Sequence, residues 1–253
     1  MFDTYHNIFN KRGEDYDIAM KKFPYARKNE FIETLGEIDM TEINHILDVP
    51  SGGGYLKKII GNEIDVTEFD PAVKFSQKHK PLKSSKKFDM VYCLATLHHV
   101  ENKNKFISDS LNLLNNKGYL CIGDVLINSK ESVFLDEFVG RYNNMGHDGL
   151  YLENNADILS GYASKNGKLV RNQYKECPWV FATEEEMLFF FRTLFSLKSI
   201  SDEELLVNID RYLGVVETEG QSISVNFSLL FVTYVNQRSG SEGLDNNVSM
   251  PFN

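Results

Sequence analysis

Apolar and polar positions along this chain follow two alternating periods. Apolar runs at 43–49, 63–69, 88–94 and 119–125 have the length and density of strands buried on both faces, as in a parallel sheet. Between them lie stretches with helical spacing, Tyr55, Leu56, Ile59 and Ile60 in one, Phe106, Ile107, Leu111 and Leu114 within 102–116 in another. Strand and helix in alternation predict an α/β protein with a mostly parallel, Rossmann-like sheet. Residues 1–41 read as helix, interrupted by Pro24. Residues 126–207 lose the alternation and hold helical pieces at 132–142 and 183–197 around a polar, glycine-bearing stretch that includes His147. Strand-like pattern returns at 211–218 and 222–235 around Glu219-Gly220, and from Asn236 on the chain is rich in Ser, Gly and Asn, the composition of a disordered tail.

The first strand runs into Ser51-Gly52-Gly53-Gly54, and a helix pattern starts at once. Glycine permits backbone angles closed to other residues and lets a ligand lie against the main chain. A helix start offers unpaired N–H groups and a positive dipole end. The turn therefore predicts a floor for a nucleotide-like ligand at the carboxyl edge of the sheet. The third glycine of the dinucleotide fingerprint would fall at residue 57, which is Lys57. Asp48, inside the strand, would repel a diphosphate but suits a ligand carrying an ammonium group.

An acidic residue followed by Gly-x-Gly, here Asp48, Gly52 and Gly54, resembles the first motif of class I S-adenosylmethionine-dependent methyltransferases. Phe88-Asp89 opening a buried strand and Leu97-His98-His99-Val100 after it resemble the fourth strand and following turn of the same family. Lys117-Gly118 before the next strand, then Asp124, matches its glycine turn. The resemblance covers about 40–125 well and the flanks loosely. It implies S-adenosyl-L-methionine as cofactor, an antiparallel last strand formed from 211–235, and a substrate lid inserted after the fifth strand. The division expected is a helical cap at 1–41, a cofactor-binding core at 42–125 and 208–236, a lid at 126–207 and a tail at 237–253.

Cofactor contacts are expected from Asp48, Ser51, Gly52, Gly54, Phe69, Asp70 and Leu94, with Arg27 and Tyr25 of the cap implied by the resemblance to meet the cofactor's carboxylate. Asp70, ending the second strand, is the choice for the ribose hydroxyls, with Glu68 as the alternative; Asp70 before Pro71 also suits a helix cap. Asp70 to Phe88 holds only a short helix and a basic loop, so the third strand is expected to be a stub near Pro81-Leu82 or absent, and no acidic residue for the adenine amine stands there. A histidine can take a proton from a hydroxyl or amine near neutral pH. His99 and His147 are the catalytic candidates, with His98 behind them and no metal required. Trp179, Phe181, Phe189, Phe190 and Phe191 could line a substrate pocket, although such spacing more often marks core.

A net charge of −9 and a pI of about 5.2 argue against nucleic acid as partner. No apolar run approaches the roughly 20 residues of a membrane span, and the amino terminus lacks a signal-peptide pattern. Cys93, Cys121 and Cys177 are too scattered for a disulfide framework or zinc site and read as buried thiols. Cytoplasmic location and a small-molecule substrate are expected; oligomeric state is not legible. The function expected is methyl transfer to an oxygen or nitrogen of a small molecule. The alternative is a non-catalytic partner or cofactor-sensing module on the same fold, suggested by the short segment after Asp70. A nicotinamide-dependent redox enzyme is disfavoured by Asp48 and Lys57.

Overall fold

The computed structural model describes residues 5–76, 86–143, 145–163, 165–217 and 222–237. Helices α1 (Tyr5–Lys22) and α2 (Lys28–Leu35) are separated by the turn at Pro24. There follow β1 (His45–Asp48), α3 (Tyr55–Ile60), β2 (Asp65–Glu68), α4 (Val73–Ser76), β3 (Phe88–Leu94), α5 (Lys103–Asn112) and β4 (Leu114–Asp124). Next comes a helical segment made of α6 (Lys130–Val133), a wider π turn (Phe134–Val139) and α7 (Gly140–Tyr142). Then come α8 (Ala156–Ala163), β5 (Gly167–Glu176), β6 (Trp179–Phe181), α9 (Glu184–Leu194), α10 (Asp202–Tyr212), β7 (Val215–Glu217), β8 (Ile223–Val225) and β9 (Ser228–Asn236).

The main sheet has the order β2-β1-β3-β4-β9-β5. Its first four strands are mutually parallel, and β9 runs antiparallel between β4 and β5. Successive residues send side chains to opposite faces, so each central strand feeds two cores. Met90 and Tyr92 pack with α2 and the Trp179–Phe195 aromatics, while Val91 and Cys93 pack with Phe106, Ile107 and Leu111 of α5. This explains the unbroken apolar runs that marked these strands.

Three expectations need correction. The strand beside β9 is β5, not 211–218; the latter supplies β7 of a separate sheet ordered β6-β8-β7. Lys168, Arg171, Asn172, Gln173 and Lys175 give β5 the polar outer edge of a border strand, which masks its period. The helix expected over 102–116 is capped at its start, where the Asn102 side chain accepts from the Lys105 N–H at 2.9 Å, but it ends at Asn112. Lys117 (φ 63°) and Gly118 therefore lie within β4 rather than closing the helix. Finally, 126–207 is not only helical, since β5 and β6 belong to it.

The expected stub near Pro81-Leu82, the Glu219-Gly220 turn and the tail from residue 238 lie outside the described residues. Cys93, Cys121 and Cys177 are buried and free. No helix among the described residues is long and apolar enough to cross a membrane.

Candidate active site

The carboxyl ends of β1, β3 and β4 meet under α1. Gly52, Gly53 and Gly54 carry φ of 54°, 106° and 80°, a left-handed run that side-chain-bearing residues rarely sustain. Ser51 N–H donates to the Phe69 carbonyl at 2.9 Å and Phe69 N–H to the Asp48 carbonyl at 3.0 Å, fastening the turn to β2. A Cβ on Gly54 would collide with the Glu68 carboxylate, and one on Gly52 would stand 3.2 Å from the Tyr16 hydroxyl. Glu68, the alternative to Asp70, thus lies against Gly54 at the helix end of the turn.

Asp70 is bound by protein donors instead. Tyr5 Oη donates to Oδ2 at 2.9 Å, Gly52 N–H to the same oxygen at 2.8 Å, and Ala72 N–H to Oδ1 at 2.8 Å. It clamps α1, the glycine turn and the start of α4 together.

A chamber opens above the turn, lined by Asp48, Ser51, Gly52, Leu94 and Arg27 from the expected set, and by Tyr5, Phe9, Tyr16, Phe31, Tyr92 and Thr96. Gly54, Phe69 and Asp70 are not in its wall; they shape it from behind. Tyr25 is 59% exposed and turned away, because the Pro24 turn carries it to the outside while Tyr16 faces in. Asp48 is buried, and that burial, followed by Glu68 and Asp70, raises its pKa well above the usual carboxylate value. Ser51 Oγ is buried without a hydrogen-bond partner. A buried acid with two acidic neighbours and an orphaned hydroxyl suit a ligand bringing a positive charge and polar atoms. The residues present therefore fit the ammonium-bearing end of S-adenosylmethionine.

A second chamber adjoins the first, and Phe9, Tyr16, Arg27 and Ala95 line both. Its wall is apolar at one end (Leu135, Trp179, Leu194, Phe195, Phe227) and basic at the other (Arg12, His98, His99, His147). Arg27 Nε donates to Glu30 Oε2 at 2.6 Å, Trp179 Nε1 donates to Oε1 at 2.6 Å, and the guanidinium lies 5.2 Å from the Trp179 ring. Burial works against its charge, but Glu30 and the nearby Tyr16 together outweigh it and raise the Arg27 pKa. Of the aromatic set, Trp179 lines this chamber; Phe181, Phe190 and Phe191 are core.

The catalytic candidates His99 and His147 are brought together with His98, with ring centroids 4.0 Å (98–99), 5.6 Å (98–147) and 5.4 Å (99–147) apart. His98 Nδ1 is 2.7 Å from Asp124 Oδ1 and His147 Nδ1 is 3.0 Å from Asp136 Oδ1. Burial first, then the neighbouring His98, lowers the His99 pKa well below the ordinary value. Burial pushes His147 down to about 4. Both rings are neutral near pH 7.

Sequence reading missed Phe9, Arg12, Tyr16 and Glu30. The first three recur at i, i+3 and i+7, one face of a helix. Glu30 beside the apolar Phe31 and Leu35 was the available sign of a buried carboxylate.

Residues 47–122 match the family model described as a methyltransferase domain, a span running from β1 through β4. No curated protein matches the chain. Among solved structures, one from Haloferax volcanii, a complex of the Trm112 methyltransferase activator with its partner, aligns over 94% of this chain and 100% of that one at 10% identity and TM-score 0.59. The YcgJ protein from Bacillus subtilis aligns over 84% of this chain and 99% of that one at 13% identity and TM-score 0.51. At such identity these structures speak for the fold alone. Domain match and fold agree: residues 47–122 match a methyltransferase domain on a Rossmann-like sheet, and the methyltransferases of that family use S-adenosylmethionine.

Proposed function

We propose that this protein methylates an oxygen or nitrogen of a small molecule with a largely apolar body. The observation that carries this reading is the pair of adjoining chambers. One has a buried acid at a glycine turn, the other a histidine cluster, and Tyr16, Arg27 and Ala95 stand where they meet.

When bound, S-adenosylmethionine supplies a methyl group on a positively charged sulfur. Asp48 accepts from the ammonium group, and Arg27, its Nε fixed by Glu30, offers its remaining N–H groups to the carboxylate. Ser51 donates its orphaned hydroxyl, and Gly52 and Gly54 allow close approach along the main chain. Glu68, beside Gly54, serves the ribose side, while Asp70 holds the turn and α1 in place. Tyr5, Phe9 and Tyr16 of α1 roof the first chamber and exclude water. Trp179, Phe195 and Phe227 hold the acceptor's apolar body and orient it toward the shared wall. His99, neutral and buried, takes the acceptor's proton, with His147 beside it and His98 anchored by Asp124.

Calorimetry with S-adenosylhomocysteine on cofactor-free protein tests the cofactor half. Radiolabelled cofactor with a panel of hydroxyl and amine metabolites tests the other. No binding defeats the reading; binding without transfer to any acceptor favours the cofactor-sensing alternative.

A further inference from the structure

His98, His99 and His147 each bring a ligand-capable nitrogen within 4.8 Å of the others. Proton transfer asks for one ring, not three. Two carboxylates stand behind the cluster: Asp124 holds Nδ1 of His98 at 2.7 Å and Asp136 holds Nδ1 of His147 at 3.0 Å. Tyr151 Oη donates to the same Asp136 oxygen at 2.5 Å. In both rings the Nε2 atom is left to act on something else. His99 is 4% exposed, and its Nδ1 is buried without a hydrogen-bond partner. A buried orphan nitrogen on a ring packed against two other histidines calls for a species that accepts lone pairs.

We propose that these three histidines bind one divalent transition-metal cation of the zinc type at the head of the second chamber. Metal-binding histidines commonly give their other ring nitrogen to a carboxylate, which sets tautomer and orientation. Three imidazoles with a further position open to a cavity is the ligand count of catalytic zinc. An all-nitrogen set selects zinc, cobalt, nickel or iron over magnesium and calcium, which require oxygen ligands. Tetrahedral bonds of ~2.1 Å place nitrogens roughly 3.4 Å apart, so the rings must draw inward, and His147, in the loop after α7, is the one placed to move.

Arg12 and Lys103 oppose a bare cation. Arg12 lines the same chamber, and its own Nε is a buried orphan; the Lys103 ammonium donates to the Val100 carbonyl at 3.0 Å. Asp124 and Asp136 offset them, and a negatively charged oxygen at the ion's open position would satisfy Arg12. That combination favours acceptors with an acidic O–H or a carboxylate near the methylated atom. Binding of the ion stands on the cluster alone; its role, which rests on the methyltransferase reading, would be to make the acceptor's O–H acidic enough for its proton to pass to water, with His99 a ligand in place of the base assigned above.

The test uses untagged protein stripped by chelator, titrated with Zn2+ by calorimetry and with Co2+ by visible absorption. One equivalent is expected, with the intense Co2+ bands of four- or five-coordination. His99→Gln and His147→Gln should each weaken Zn2+ at least 10-fold, and Asp136→Asn about 10- to 100-fold. His6→Gln, on the exposed face of α1, should leave it unchanged. Circular dichroism and S-adenosylhomocysteine binding report that each variant is folded. Absence of stoichiometric Zn2+, or binding that His99→Gln and His147→Gln leave intact, overturns the site. Protein that holds Zn2+ but no S-adenosylhomocysteine keeps the site and defeats the methyltransferase reading alone.

Discussion

Asp124, at the end of β4, accepts from His98 Nδ1 at 2.7 Å through one oxygen, and its other oxygen accepts from the Thr96 N–H at 2.9 Å and from the Leu97 N–H. One carboxylate thus ties the last residue of a strand to the turn that ends its neighbour β3, and aims a histidine into the second chamber.

Burial alone would raise the pKa of Asp124, but His98 and the main-chain donors outweigh it and the net shift is downward. Asp124→Asn should cost about 2–4 kcal/mol in urea unfolding, since it breaks a buried, charge-assisted network. A depressed pKa contributes stability above the unfolded value of about 3.9 and loses it as pH falls through the folded value. The gap in Tm between the two proteins should therefore close below about pH 4. A gap that persists there would show that the carboxylate's charge is not what stabilises the turn.

Asp48 works in the opposite sense. Its folded pKa is raised by burial and by Glu68 and Asp70. Its ionisation is therefore penalised by folding, increasingly as pH rises from about 3.9 toward the folded value. Asp48→Asn should stabilise the free protein near neutral pH while weakening S-adenosylhomocysteine about 10- to 100-fold, the worth of a charge-assisted hydrogen bond. Wild-type protein should release a proton on binding, seen as a dependence of the calorimetric heat on buffer ionisation enthalpy. Equal affinity in the variant, with no such dependence, would remove Asp48 from the cofactor site.

Gly54 and Gly61 separate two costs. Both have positive φ, 80° and 87°, yet a Cβ at Gly61 meets nothing within 4 Å while one at Gly54 strikes Glu68. Gly61→Ala should cost about 1–2 kcal/mol for the backbone alone, and Gly54→Ala at least about 1 kcal/mol more for the collision. Adding Glu68→Ala to Gly54→Ala should recover part of that excess. Denaturant titration of the four proteins decides it.

The lowered pKa values of His99 and His147 bear on the pH profile of metal-free protein. A lowered value keeps the base neutral and competent to far lower pH than an ordinary histidine. kcat/KM should hold through pH 6.5 and fall only at lower pH, with His147 itself losing neutrality near about 4. Circular dichroism at each pH separates this from unfolding. An acid limb at 6.5 would mean that an exposed histidine is the base.

The amino-acid sequence by itself determined the order β1 to β4, the glycine turn and the acid before it, because these depend on local period and on backbone angles that only glycine tolerates. It also placed His98 and His99 after β3. Only the tertiary structure decided that β5 borders β9, since a strand with a solvated edge carries no clean alternation. The same holds for the wall between the chambers. Trp179 reaches Glu30 across 149 residues of chain, and His147 joins His98 and His99 from a loop whose polar residues show no periodicity. Asp70 held a role the sequence could not settle: whether a strand-end carboxylate faces a ligand or the protein's own N–H groups depends on where α1 lies, and α1 brings Tyr5 down upon it.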